Sequence, residues 1–270
     1  MQEVIRRHDL SPDDPDLENW PWPVRVYSLG QFEIVVDERV LRIEGKAQHK
    51  PLELLKILVA EGERGQSAGK SIDQVWRSRA DGDGQKSLES TIHRLRTLLG
   101  HDSAVRVTDC NVALDARKVW VDAWWLERVL ARCMSATDGA HPGARSLESS
   151  APVVLGLYRG PFLANVEDAA WQVPLRNRLS GRFQQFVLRL GQHWESCANW
   201  KAASDLHSRA VALEPLAESF YRGQMVCLQA RGRRAEAIEV FRRCRQSLSI
   251  VLGVRPAPAT EQIYRQLLVS

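Results

Sequence analysis

Strand-like alternation occurs in two places in this chain and ends at Asp122. Residues 24–43, VRVYSLGQFEIVVDERVLRI, place Val24 and Val26, then Phe32, Ile34 and Val36, then Val40 and Ile43, at strand spacing. Gly30 and Asp37-Glu38 fit the turns between short antiparallel strands. Residues 105–121, VRVTDCNVALDARKVWV, alternate again and turn at Asp109-Cys110-Asn111, which predicts a hairpin. The segments between these two are helical in pattern. PLELLKILVAEG carries the apolar stripe Leu54, Leu55, Leu58 and Val59, with Pro51 suited to a first turn and Gly62 to an end. Ser71 stands three residues before Gln74, a capping-box spacing that predicts a helix start, and Ile72, Val75 and Trp76 supply its apolar face. RADGDG, 79–84, reads as a loop, with Asp83 as the N-cap of the next helix. The order is small sheet, three helices, hairpin.

The third helix, KSLESTIHRLRTLLG (86–100), has an unusual polar side. On a wheel of about 100° per residue, Leu88, Ile92, Leu95 and Leu99 share one face. Lys86, Ser90, His93 and Thr97 lie opposite, with Ser87 and Arg94 on one flank and Glu89 and Arg96 on the other. A solvated helix face normally mixes charge signs, yet Glu89 is the sole acid from 85 to 99. A helix in third place, followed by a hairpin, has the helix-turn-helix-plus-wing arrangement, in which that helix enters the major groove of DNA.

After Asp122 the pattern is helical. WWLERVLARCM continues as a helix, and SATDGAHPGARSLESS, 135–150, is small, polar and broken by Gly and Pro, so a loop is expected there. Further on, Ala203, His207 and Ala210 recur 34 positions later as Ala237, Phe241 and Cys244. Leu190, Gly191, Trp194, Ala203, Ala210 and Pro215 stand at tetratricopeptide spacing, while Met225 replaces the small residue in the second copy. Stacked helical hairpins are the expectation.

Other chemistry is weakly represented. Gly69-Lys70-Ser71 mimics the end of a phosphate loop, but the pattern requires glycine at 64, where Arg64 stands, and the stretch follows a helix rather than a strand. No nucleophile turn or glycine-rich cofactor loop occurs, so no catalytic residue, cofactor or enzymatic activity is expected. The five cysteines, 110, 133, 197, 227 and 244, form no C-x-x-C pair and show no metal-ligand spacing; free thiols and no metal are expected. Most of the nine tryptophans, including Trp20 and Trp22 in NWPWP and Trp124, Trp171 and Trp194, are expected to pack in cores or between elements. The net charge of +4 is too small to argue for nucleic acid by itself. The first residues have no signal-peptide core, and no run reaches the ~20 apolar residues of a membrane helix. A cytoplasmic protein without membrane contact is expected.

With these residues in place, the chain resembles a known family. Residues 24–121 resemble an OmpR-type winged helix, in which LESTIHRLRTLLG matches the recognition-helix pattern. Residues 122–268 resemble the bacterial transcriptional activation domain of SARP-type regulators through LYRGPFL (157–163), RNRL (176–179), PLAESFYRGQM (215–225), GRRAEAIEVFRRCRQSL (232–248) and LGVRPAPAT (252–260). The resemblance implies an α/β winged helix followed by an all-α, tetratricopeptide-like domain: an acidic lead over 1–23, a DNA-binding domain over 24–121 and an activation domain over 122–270. It implies a transcriptional activator that binds double-stranded DNA, engages RNA polymerase holoenzyme and self-associates on tandem sites. DNA contact falls to Lys86, Ser87, Ser90, Thr91, His93, Arg94, Arg96 and Thr97, with His93 and Arg94 at base edges and Lys86, Ser87 and Arg96 at phosphates. The family's wing often carries Gly-Tyr near a basic residue; Asp109-Cys110-Asn111 departs from that. NWPWPVRVYSLGQFEIVVD and GKAQHKPLELLKILVA also resemble the junction in long regulators, where such a module ends an NTPase-containing chain. The alternative is a protein-interaction scaffold with little or no DNA binding.

Overall fold

The structure is a computed structural model, and it describes residues 19–42, 48–76, 84–108, 110–135 and 142–269, with Leu10, Pro12 and Leu17. Ile43, the loop 79–83 with the expected N-cap Asp83, the turn residue Asp109 and most of the acidic lead lie outside the described residues. The chain divides into two compact units. One holds the described residues up to Glu127 together with Phe162–Asn177; the other holds Arg128–Pro161 and residues from Arg178 onward.

In the first unit, β1 (Val24–Tyr27), β2 (Glu33–Val36) and β3 (Arg39–Val40) form an antiparallel meander. Val24, Val26 and Ile34 turn inward, as the alternation predicts. Asp37 and Glu38 join β2 to β3 with both φ angles positive, the signature of a tight primed turn. Three helices follow: α1 (His49–Glu61), α2 (Ala68–Val75) and α3 (Gly84–Leu99). Leu54, Leu55, Leu58 and Val59 of α1 are buried, joined by Ile57.

Local pattern and structure part in two places here. The helix start expected at Ser71 is instead capped by Ser67, whose hydroxyl accepts from the Lys70 amide. Ser71 is buried inside α2: it donates to the Ser67 carbonyl and accepts from Gln66, whose amide also donates to Gln74. Both capping-box residues are thus held by one buried glutamine. Gln66 belongs to β4 (Gln66–Ser67), a two-residue strand too short to show in the alternation.

The second departure concerns residues 105–121. The hairpin is β5 (Val105–Thr108) and β6 (Asn111–Leu114), with Cys110 at positive φ in its turn. It forms the three-stranded sheet β4-β6-β5. β7 (Val119–Val121) leaves it to run parallel to β1, giving the four-stranded order β3-β2-β1-β7. Burial on this path selects the second sheet: Val119, Trp120 and Val121 are all buried, and Trp120 packs edge-on against Tyr27 and Trp125.

α4 (Asp122–Ser135) opens at a buried acid. The Asp122 carboxylate accepts from the amides of Ser28, Leu29 and Ala123 and from the Ser28 hydroxyl. Burial raises this carboxyl above its ordinary value, against the pull of those donors. The indole of Trp124 donates to the Val59 carbonyl and so ties α4 to the end of α1. Arg176 gathers the late segment of this unit: it donates to the carbonyls of Phe162 and Leu163 and to Gln172, and pairs with Asp168. Leu163 in turn donates to Ser28.

The second unit is helical. Pro142–Leu157 forms α5, where a loop was expected through 150. Pro142 is the first residue of this helix, a place where proline starts rather than breaks a turn. Leu147, Ala151 and Val154 then give it a buried side. After α6 (Val173–Ser196) come α7 (Trp200–Leu213), α8 (Glu218–Ala230), α9 (Arg234–Leu252) and α10 (Pro258–Val269). The repeat positions Ala203, His207, Ala210, Ala237, Phe241 and Cys244 are all buried, the expected place for the small and ring residues of stacked helical hairpins. Glu218 fixes the start of α10 by accepting from the Ala257 amide and the Thr260 hydroxyl. Trp124 is buried, while Trp171 and Trp194 are half-buried, the latter donating to Glu148.

Candidate nucleic-acid interface

α3 is fixed from its apolar side. Leu88, Ile92, Leu95 and Leu99 are buried, and α1 and α2 pack against the helix. At its start, Gly84 approaches Ile72 of α2, where a Cβ would come within 3.0 Å of a side-chain methyl. At its far end, the Arg96 guanidinium donates twice to the Val105 carbonyl, at 3.2 and 2.7 Å, tying α3 to the first strand of the wing.

The predicted contact residues separate by what they touch. Lys86, Ser90, His93, Arg94 and Thr97 are exposed, and Ser87 is half-buried. Thr91 is buried at 5% exposure. Arg96 is half-buried and committed to the wing carbonyl, and the Thr97 hydroxyl donates back to the His93 carbonyl one turn earlier.

Lys86, Ser87, Ser90, Thr91 and Arg94 line an open groove of about 550 Å³. Two further residues complete it, and neither was singled out in the sequence as a contact residue: Lys50 from α1 and Trp76 from the end of α2. Lys50 donates to the Val75 carbonyl and pairs with Glu53 at 3.4 Å, which holds its stem beside Trp76. The lining carries three cations and no acid. Lys86 and Arg94 make no ion pair or hydrogen bond with a described residue. Among the described residues, the first turn of α3 contains no acid either. Glu89 sits outside the groove and accepts from Gln85. The surface is therefore a cationic concavity with hydroxyl donors, suited to phosphate oxygens and to the acceptor-rich edges of purines.

The wing is less basic than the helix. Arg106 on β5 is half-exposed, but Asp115 lies 3.8 Å from it and also takes Arg117 at 2.8 Å. Burial works against the charged form of Asp115, yet the Arg117 hydrogen bonds and the two guanidinium charges outweigh it and hold the carboxyl below its ordinary value.

Residues 121–268 match the family described as bacterial transcriptional activator domain, over more than half of the chain. The chain belongs to this family. Among similar proteins, the regulatory protein AfsR of Streptomyces griseus is 30% identical over 226 residues, which is 83% of this chain and 22% of that protein. AfsR of Streptomyces coelicolor is 29% identical over 233 residues, again 83% and 22%. The chain thus spans little more than a fifth of the length of these relatives. Among solved structures, Mycobacterium tuberculosis EmbR, in complex with a low-affinity phosphopeptide, superposes with a TM-score of 0.62 at 18% identity, over 92% of this chain and 65% of that one. That likeness is one of fold. The chain thus carries a winged helix ahead of a helical bacterial transcriptional activator domain, the domain arrangement of SARP-type regulators. Among the described residues, no helix is long and apolar enough to cross a membrane.

Proposed function

We propose that this activator-domain protein binds double-stranded DNA sequence-specifically through α3 in the major groove, acting in the cytoplasm. In this reading residues 24–121 are the DNA-binding domain and 122–270 the activation domain. The observation that carries it is the cationic groove with Lys86 and Arg94 unpaired toward described residues. Arg94 and His93 are assigned to base edges. Lys86, Ser87, Ser90 and, from α1, Lys50 are assigned to phosphates, where contacts set register without reading sequence. Arg96 supports α3 from the wing, and Thr91 lies buried in the groove lining.

The helical domain is proposed to join copies on tandem sites and to engage RNA polymerase. Ile250, Val251, Leu252 and Val254 at the end of α9 are exposed apolar residues that suit such protein contacts.

Binding assays on an operator selected from random duplexes test the assignment. Arg94→Ala is expected to lose preference at one operator position, worth about 1–3 kcal/mol of discrimination. Lys86→Ala is expected to weaken all duplexes alike and to reduce the slope of log K against log salt by about 1. Equal loss on operator and scrambled DNA for Arg94→Ala refutes its base-reading role. Absence of any salt-dependent retention on duplex DNA at low salt leaves a protein-interaction scaffold as the better account.

A further inference from the structure

Three helices of the second unit bring together side chains that no spacing in the sequence connects. Glu195 lies at the end of α6, His207 in the middle of α7 and Cys227 in α8, separated by 12 and 20 residues. Their ligand atoms all lie within 4.8 Å of one another. His207 Nε2 is 3.5 Å from Glu195 Oε1, and Cys227 Sγ is 3.4 Å from the same oxygen.

His207 is an odd choice for its position. Its counterpart 34 residues later is Phe241, so a hydrocarbon ring serves the same place in the second copy. The imidazole is 2% exposed, and neither ring nitrogen makes a hydrogen bond. Space for it is kept by two glycines on the flanking helices. A Cβ at Gly191 would come 2.7 Å from Nε2, and one at Gly223 would come 2.3 Å from it. Buried polar atoms are normally satisfied, yet in this imidazole Nε2 has only the Glu195 carboxylate at 3.5 Å and Nδ1 has no hydrogen-bond partner.

We propose that Glu195, His207 and Cys227 bind one zinc-class divalent cation that clamps α6, α7 and α8 together. A nitrogen, a sulfur and an oxygen donor form a borderline set suited to zinc. A tetrahedral zinc ion bound at about 2.0–2.3 Å holds its ligand atoms about 3.3–3.6 Å apart; the Glu195 oxygen stands at 3.5 and 3.4 Å from the other two ligand atoms, and those of His207 and Cys227 lie within 4.8 Å of each other. Cys227 is fully buried and Glu195 half-buried, so the ion is reached from the Glu195 side, where water takes the fourth position. Without the ion, burial and the neighbouring carboxylate push the Cys227 thiol up to about 12, and it donates to Glu195 as a neutral group. Cation binding replaces that donated proton, which passes to solvent, with a thiolate–metal bond.

The test uses the full untagged chain, stripped with chelator and titrated with Co²⁺ and with Zn²⁺. One Co²⁺ per chain is expected, with the near-ultraviolet charge-transfer absorption of a cobalt thiolate and the visible bands of a tetrahedral ion. Cys227→Ser is expected to abolish the charge-transfer absorption. Cys227→Ser and Glu195→Gln are each expected to weaken binding by at least about 100-fold, the upper end of what loss of an outer-shell partner does. Zn²⁺ is expected to raise the Tm of the parent chain and leave that of Cys227→Ser unchanged, with helical circular dichroism confirming that both variants fold. Failure to bind at micromolar free metal overturns the proposal, as does binding that both variants retain, which places the ion elsewhere.

Discussion

Replacing Asp122 with alanine is expected to be among the most damaging single changes in the winged-helix unit. The Asp122 side chain lies at the point where β7 gives way to α4 and reaches back to the end of β1. It accepts from the amides of Ser28, Leu29 and Ala123 at 2.7–3.0 Å and from the Ser28 hydroxyl at 2.7 Å, and the residue is 2% exposed. Asp122→Ala withdraws this acceptor from three backbone N–H groups at once. Each buried donor left unsatisfied costs about 1–3 kcal/mol. Water entering the vacated space recovers part of that, so the lower end applies, and the sum is about 3–5 kcal/mol. Asp122→Asn keeps one acceptor oxygen but turns an amide NH₂ toward an N–H, leaving about one unsatisfied donor and a loss of about 1–3 kcal/mol. Because a chain of two units need not unfold in one step, the assay combines urea unfolding with amide exchange at Leu29 and Ala123, which reports this junction directly. A loss below about 1 kcal/mol for Asp122→Ala, with unchanged exchange at both amides, refutes the view that this carboxylate holds the junction.

Gly65→Ala is expected to cost at least about 2 kcal/mol, since φ there is +64° and a Cβ would lie 2.1 Å from the Val112 carbonyl; urea unfolding measures it, and a neutral effect refutes the close approach of β4 to β6. Asp115 has a folded pKa below its ordinary 3.8, so the stability it contributes is fully present above that value and is lost as pH falls through the folded one. Melting of the parent chain and of Asp115→Asn between neutral pH and pH ~2.5 is therefore expected to show a difference that shrinks toward acid, and a constant difference counts against the Arg117 pairing as its cause.

How far the sequence could be read follows from how local each cause is. α1 and α3 are written in their apolar stripes, and the β2–β3 turn in two adjacent residues, Asp37 and Glu38. The Ser71–Gln74 spacing misleads because Gln66 satisfies both residues from a strand of two residues, whose partners Asn111 and Val112 are more than 40 positions away. The parallel pairing of β7 with β1 is equally remote, with Val26 opposite Val121. For α5, Pro142 carries opposite meanings at the first position of a helix and inside one, and composition alone does not choose between them.

The candidate interface shows the same limit at higher resolution. Arg94 and Arg96 are two residues apart and equally basic, but two residues turn a helix through about 200°. Arg94 therefore opens onto the groove, while Arg96 reaches the Val105 carbonyl. A wheel separates their directions but not their partners, since the wing carbonyl is supplied by tertiary packing. The same packing supplies Lys50 and Trp76, which no wheel of α3 contains. In the proposed role, this arrangement divides the work among three helices. α3 presents the side chains that read, α1 lends a cation whose own partners fix it in place, and Arg96 sets the angle of α3 against the wing. A wing whose Arg106 and Arg117 are both drawn to Asp115 offers less free positive charge to a phosphate. On the proposed reading, the surface formed by α1, α2 and α3 is then left to supply most of the attraction to DNA.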